Sequence, residues 1–174
     1  MKKFFFILVI AATSASLVNA QTTSYTISKD QKNADANILT GIISKYILQA
    51  DSSLTWYTIN QKAYKPETAV LNAMAAAKDK FQFVVFGGTW CEDTQFILPK
   101  FFKLQEQAGV ADKNISFFAV NREKQTLGNV AAAFKIINVP TIIIMKDGKE
   151  IGRVVEYGKT GKWDKELTDI LQVF

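Results

Sequence analysis

Apolar residues along this chain fall into two rhythms. Ile38, Leu39, Ile42, Ile43, Tyr46 and Ile47 recur at three- and four-residue intervals, which predicts an amphipathic helix over residues 34–50. Residues 54–59 (Leu54, Thr55, Trp56, Tyr57, Thr58, Ile59) crowd β-branched and aromatic side chains and predict a strand. Pro66 and Glu67 suit a first helical turn, and the alanine-rich stretch 67–80 predicts the helix that follows. Residues 81–86 are apolar except for Gln82, as in a strand covered on both faces, and 115–120 read the same way. Between them Ile97, Phe101, Leu104 and Ala108 form one stripe of a helix over 95–108. A short helix is predicted at 127–134. Strands at 141–145 and 150–155 flank Asp147-Gly148, a strong hairpin signal. Trp163, Leu167, Ile170 and Leu171 mark a terminal amphipathic helix. The order is one helix followed by β-α-β-α-β-α-β-β-α. It predicts an α/β fold whose mixed sheet has three parallel strands plus an antiparallel hairpin, flanked by helices.

The ends of the chain change this picture. Residues 1–20 read as a secretory signal, with Lys2 and Lys3 before an apolar run and Val18-Asn19-Ala20 as a small-residue cleavage site. The apolar run is far shorter than the roughly 20 residues of a spanning helix, so an exported protein is expected, periplasmic or secreted, with no membrane span after cleavage. Residues 21–37 are polar and read as a mobile lead-in with a short strand at 25–27. Residues 21–53 thus form an extension with one helix, ahead of a main unit at 54–174.

Charge adds little. The net +5 includes Lys2 and Lys3, and the remainder is spread without a basic stripe, so nucleic acid is not an expected partner. Two absences weigh more. Among 174 residues there is no histidine, which removes any base or zinc site built on imidazole, and one cysteine, which removes any internal disulfide. No cofactor and no metal are expected.

That cysteine, Cys91, follows the strand 81–86, Gly87-Gly88 and Trp90, where a helix begins. Unsatisfied N–H groups and the helix dipole there favour a thiolate. Glu92 and Asp93 oppose it, so a modestly acidic, partly exposed thiol is expected. The competing reading is a small buried apolar residue, which free cysteine often is. Pro99 inside the helix costs a hydrogen bond and predicts a kink.

Trp90-Cys91 after a buried strand, Pro99 eight residues on, and Asn138-Val139-Pro140-Thr141 before a hairpin resemble the thioredoxin family. Ala131, Phe134, Ile136, Gly148 and Gly158 extend the likeness over about residues 54–174. The resemblance implies a thioredoxin fold, a cis Val139-Pro140 bond beside the sulfur, and thiol- or disulfide-containing partners, whether a protein or a small-molecule thiol. At that turn the backbone of Val139 is left free to pair with a partner's extended chain.

The departures matter as much. Where disulfide-exchanging relatives carry Cys-x-x-Cys, this chain has Cys91-Glu92-Asp93-Thr94. Thr94 either donates a hydrogen bond to the thiolate or is a surface helix residue. Val85 stands where many thioredoxins bury an aspartate, and Asp93 either assists proton handling in its place or is simply an exposed acid near a helix start. Arg122 follows the strand 115–120. It either stabilises the thiolate or binds an acidic group near Cys91, or it is a solvated loop charge. Two functions stay open: single-thiol disulfide exchange through Cys91, resolved by an external thiol, or a redox-inactive binding or chaperone-like module using the groove beside Pro140.

Overall fold

The computed structural model describes residues 24–173, so the expected signal at 1–20 lies outside the described residues. Six strands form one sheet in the order β1-β2-β4-β3-β5-β6. They are β1 (Tyr25–Asp30), β2 (Asn33–Ile43), β3 (Gln82–Gly87), β4 (Ile115–Ala119), β5 (Thr141–Lys146) and β6 (Lys149–Val155). The helices are α1 (Lys45–Ala50), α2 (Thr55–Ala63), α3 (Thr68–Ala77), α4 (Glu92–Ala108), α5 (Val130–Ala133) and α6 (Trp163–Gln172).

The strand β3 runs through the middle and alternates between two cores. Phe83 and Val85 point into the larger one with Leu98, Phe101 and Leu104 of α4, Val70 and Met74 of α3 and Leu167 and Leu171 of α6. Phe86 points to the other face, into a smaller cluster with Val120, Ala131, Val139 and Ile143. This two-sided burial is why residues 81–86 read as a nearly unbroken apolar run. The hairpin between β5 and β6 turns on Asp147 (φ 49°) and Gly148 (φ 74°), the left-handed pair that a two-residue turn of matching twist requires.

Two expected elements are replaced. The predicted helix over 34–50 is a strand for most of its length. β2 pairs antiparallel with β1, Ile27 lying opposite Leu39, and with the free edge of β4, Ile42 lying opposite Phe118. Leu39 and Ile43 enter the larger core and Ile38 faces the other way, so the same apolar positions satisfy a period of two. Gly41 is the deciding residue. Its φ is +132°, and a Cβ there would lie 2.6 Å from the Cα of Tyr25, so only glycine lets β1 approach. Only the tail of the predicted helix survives, as α1. The polar lead-in is correspondingly not a loose segment over residues 25–37 but a hairpin, and its strand begins at the expected Tyr25 and runs to Asp30.

The predicted strand at 54–59 is instead the helix α2, which buries Tyr57 against the larger core and packs along α4. Strand propensity lost to tertiary packing. The sheet therefore holds two parallel strands, β3 and β4, rather than three, with every other pairing antiparallel. Helix α3 begins after Pro66 and Glu67, not on them.

Helix α4 continues through Pro99. Proline has no N–H to offer the carbonyl of Gln95, and Asn60 of α2 supplies one, its Nδ2 donating to Gln95 O at 3.2 Å. The helix ends at Gly109 (φ 73°), whose N–H returns to Gln105 O and Glu106 O. Phe101 is wholly buried where α4 meets β3, with its ring 5.8 Å from Phe83 and 5.4 Å from Phe102. Phe101→Ala is expected to cost about 3–5 kcal/mol of stability, read as a lower denaturant midpoint at unchanged slope.

Candidate functional site

The chain passes from β3 to α4 in four residues, and two glycines make that possible. A Cβ on Gly87 would lie 2.6 Å from Leu98 Cδ1 and 3.0 Å from Thr94 Cγ2, while one on Gly88 would strike the Trp90 ring at 2.6 Å. Helix and indole therefore sit directly on the turn. Trp90 is fixed by its Nε1 donating to Val120 O at 2.9 Å, and the Cys91 N–H donates to Gly88 O at 2.9 Å.

Cys91 is the N-cap residue of α4, extended at φ −97° and ψ 122°, and half-buried. Its Sγ–H donates to the carbonyl of Val139 at 3.1 Å. The Val139-Pro140 bond is cis, and both residues are buried. Cys91, Trp90, Val139 and Pro140 thus converge, with the sulfur lying between a helix start and a backbone carbonyl. The first turn of α4 carries Glu92, exposed, and Asp93, half-buried. The Tyr157 hydroxyl is pushed up first by burial and then by the negative charge of Asp93. Val85 is fully buried in the larger core, so the strand brings no acid of its own to this place.

Thr94 is not the surface helix residue of one expectation. It is 1% exposed, and its hydroxyl accepts the Gly88 N–H at 3.2 Å. Where a second sulfur would stand, a hydroxyl holds the loop.

Arg122 is not a solvated loop charge. Its Nε and Nη2 donate to the two carboxylate oxygens of Asp30, each at 2.7 Å, and its guanidinium carbon lies 5.0 Å from the centre of the Trp90 ring. Lys124, held at φ 60°, places its Nζ 5.6 Å from the same ring.

Sequence reasoning missed the contribution of the N-terminal hairpin. Thr89, 6% exposed, donates through Oγ1 to Asn37 O at 3.1 Å and accepts the Leu39 N–H at 3.3 Å. On the other side Gln95 Nε2 donates to Thr89 O at 2.8 Å. The loop carrying Cys91 is thereby gripped by β2 from one side and α4 from the other. Asp30, Asn37 and Thr89 carried no local signal of this role, because the partners that tie them to the site lie 50 or more positions away in sequence.

With this geometry in place, comparison with known proteins is direct. A family model described as Thioredoxin matches residues 62–169. The chain is 36% identical over 81 residues to Thioredoxin-1 of Saccharomyces cerevisiae, covering 47% of this chain and 73% of that protein. It is 34% identical over 76 residues to Thioredoxin-like protein R548 of Acanthamoeba polyphaga mimivirus, covering 44% of this chain and 53% of that protein, about half its length. Among solved structures, a Pseudomonas aeruginosa protein of unknown function shares the fold at a TM-score of 0.51 and 15% identity, covering 77% of this chain and 91% of that one. The fold and site define a thioredoxin-like α/β protein. The chain belongs to the thioredoxin family.

The Asp30–Arg122 pair predicts an acid response. The guanidinium of Arg122, with help from the backbone N–H of Lys32, lowers the Asp30 carboxyl from its ordinary 3.8 to about 2. A carboxylate depressed in the folded state stabilises the fold fully above its unfolded pKa, and that contribution is lost as pH falls through the folded one. Wild-type protein is therefore expected to lose stability between pH about 4 and about 2 through this group. Asp30→Asn should be less stable near neutrality and should flatten that part of the stability-against-pH curve, measured by denaturant unfolding at each pH.

Proposed function

We propose that this protein performs single-thiol disulfide exchange through Cys91. The supporting observation is the placement of Sγ: half-exposed, at the start of a 17-residue helix. A helix start favours negative charge on that sulfur, and the thiolate is the nucleophile in exchange. The thiolate attacks one sulfur of a partner disulfide. A new S–S bond to Cys91 forms, the partner's S–S bond breaks, and the departing sulfur leaves as a thiolate that takes a proton from water.

A second thiolate must then attack the mixed disulfide. The buried Thr94 hydroxyl does not serve, because an alcohol is no nucleophile at neutral pH and forms no disulfide. An external thiol, protein or small molecule, releases Cys91 as its thiolate and is itself carried into a disulfide. Electrons thus pass from the external thiol to the partner, and Cys91 returns unchanged. We further propose export to a periplasmic or extracellular space, on the charged start, apolar run and small-residue site of residues 1–20.

One observation favours a second reading, a module that binds partners through the groove beside Pro140 without redox turnover. Thr94 is committed to the loop, and Ile137, 77% exposed and two residues before Val139, offers an apolar contact independent of sulfur. Under that reading alkylating Cys91 leaves partner binding unchanged.

The deciding measurement is reduction of a disulfide substrate with and without an added monothiol. Wild type is expected to accelerate the reaction only when the thiol is present, and Cys91→Ser is expected to fall to the uncatalysed rate. Acceleration that survives Cys91→Ser overturns the proposal.

A further inference from the structure

Arg122 is the nearer of two positive charges placed over Trp90, the residue that precedes Cys91, and it is matched. Both oxygens of Asp30 are occupied by the guanidinium in a two-point pair, Asp30 keeps only 2% of its side chain exposed, and Arg122 keeps 24%. The partners come from β1 and from the loop after β4, 92 positions apart. Asp30 lies outside the residues 62–169 that the family model matches, so this carboxylate is brought to the site by the chain's own N-terminal hairpin. A pair of this kind presents a dipole to its surroundings rather than a net charge, and partial burial limits screening by salt.

We propose that Asp30 is a positioning residue that fixes Arg122 over Trp90 and compensates its charge, and so sets how readily Cys91 reacts. The proposal rests on the reading of Cys91 as a nucleophile reachable from solvent, but not on turnover.

The other titratable groups near this pair and the start of α4 are Glu92 and Asp93 of α4, the Tyr157 hydroxyl beyond β6, and Glu123 and Lys124 beside Arg122 and Trp90. The segment around Val139 contributes backbone groups only. All of these stay in place when the pair alone is altered. Two features agree with the proposal. The guanidinium carbon stands 5.0 Å from the ring centre of Trp90, the residue covalently joined to Cys91, and Arg122 is raised chiefly by its bond to Asp30. Asp30 itself, lowered to about 2, is ionised throughout the range in which a thiol titrates.

The two ways of breaking the pair then have opposite consequences. Asp30→Asn leaves Arg122 as an uncompensated cation, which favours the thiolate. Arg122→Gln leaves Asp30 as an uncompensated anion, which disfavours it. A purely structural role for the pair would make both variants loosen the loop in the same direction. The test is the initial rate of alkylation of the full chain by neutral iodoacetamide, followed against pH for wild type, both single variants and the double variant. Asp30→Asn is expected to reach half-maximal rate at lower pH and to react about two-fold faster at pH 7, and Arg122→Gln to react about two-fold slower. The double variant should lie near wild type. Arg122→Lys, which keeps the charge, should retain the wild-type profile, and this comparison holds even if Asp30→Asn fails to fold. Shifts of both single variants in the same direction, an unshifted Arg122→Gln, or Arg122→Lys behaving as Arg122→Gln overturn the proposal. Opposite shifts together with failed disulfide exchange would sink the proposed function and leave this inference standing.

Discussion

Nothing can project from the turn between β3 and α4, and much else in the molecule follows from that. Gly87 has Leu98 and Thr94 against its Cα, and Gly88 has the indole of Trp90. With no Cβ at either place, α4 comes down onto the end of β3 and buries Ile97, Leu98, Phe101 and Leu104 in the larger core. The same closeness puts the helix start, and therefore Cys91, at the rim of the sheet beside Val139. A side chain at either glycine would have to push the helix or the indole away, and off-fit packing of that kind typically costs about 1–3 kcal/mol. Core packing and sulfur presentation are two results of one steric constraint.

The parts of this arrangement legible in the sequence are those whose signal is local. The strand β3 announced itself by an unbroken apolar run, the β5–β6 hairpin by Asp147-Gly148, and the position of Cys91 by glycines before it and a helical stripe after it. The N-terminal fifth of the described chain read wrongly because its pattern was ambiguous. Residues Ile38, Leu39, Ile42 and Ile43 satisfy a helical spacing, yet as adjacent pairs they also place one residue on each face of a strand. What decides between the two is the unpaired edge of β4, more than 70 positions later, together with a glycine whose role shows only once β1 is beside it. Residues 54–59 failed for the converse reason. Their β-branched and aromatic side chains suit a strand, but the place a strand would fill beside β4 is already held by β2. Helix α2 then earns its stability from Tyr57 and from Asn60, which meets the carbonyl that Pro99 leaves open.

The hairpin also changes what kind of site this is. A loop that carries a reactive group must be held without being enclosed, and loops ordinarily hold themselves poorly. Here Thr89 is used as if it were a strand residue, exchanging bonds with Asn37 and Leu39, while Arg122 binds the hairpin's Asp30 and lies over the loop's Trp90. These contacts restrain the backbone of the loop, and the sulfur is left half-exposed. The extension therefore both enlarges the core, through Leu39, Ile43 and Leu48, and supports the site.

Thr94 shows how the site departs from a pair of cysteines. A buried hydroxyl must find a partner or destabilise the fold by about 1–3 kcal/mol. This one finds the N–H of Gly88, so it satisfies a donor on the turn while its methyl packs against Gly87. A thiol there would hold that donor weakly. Where a second sulfur would stand, the chain carries a residue that stiffens the loop. Under the single-thiol exchange proposed for Cys91, release of a mixed disulfide would have to come from outside, through the exposed side of the sulfur. A loop held rigid by Thr94 and open at Cys91 is compatible with that demand.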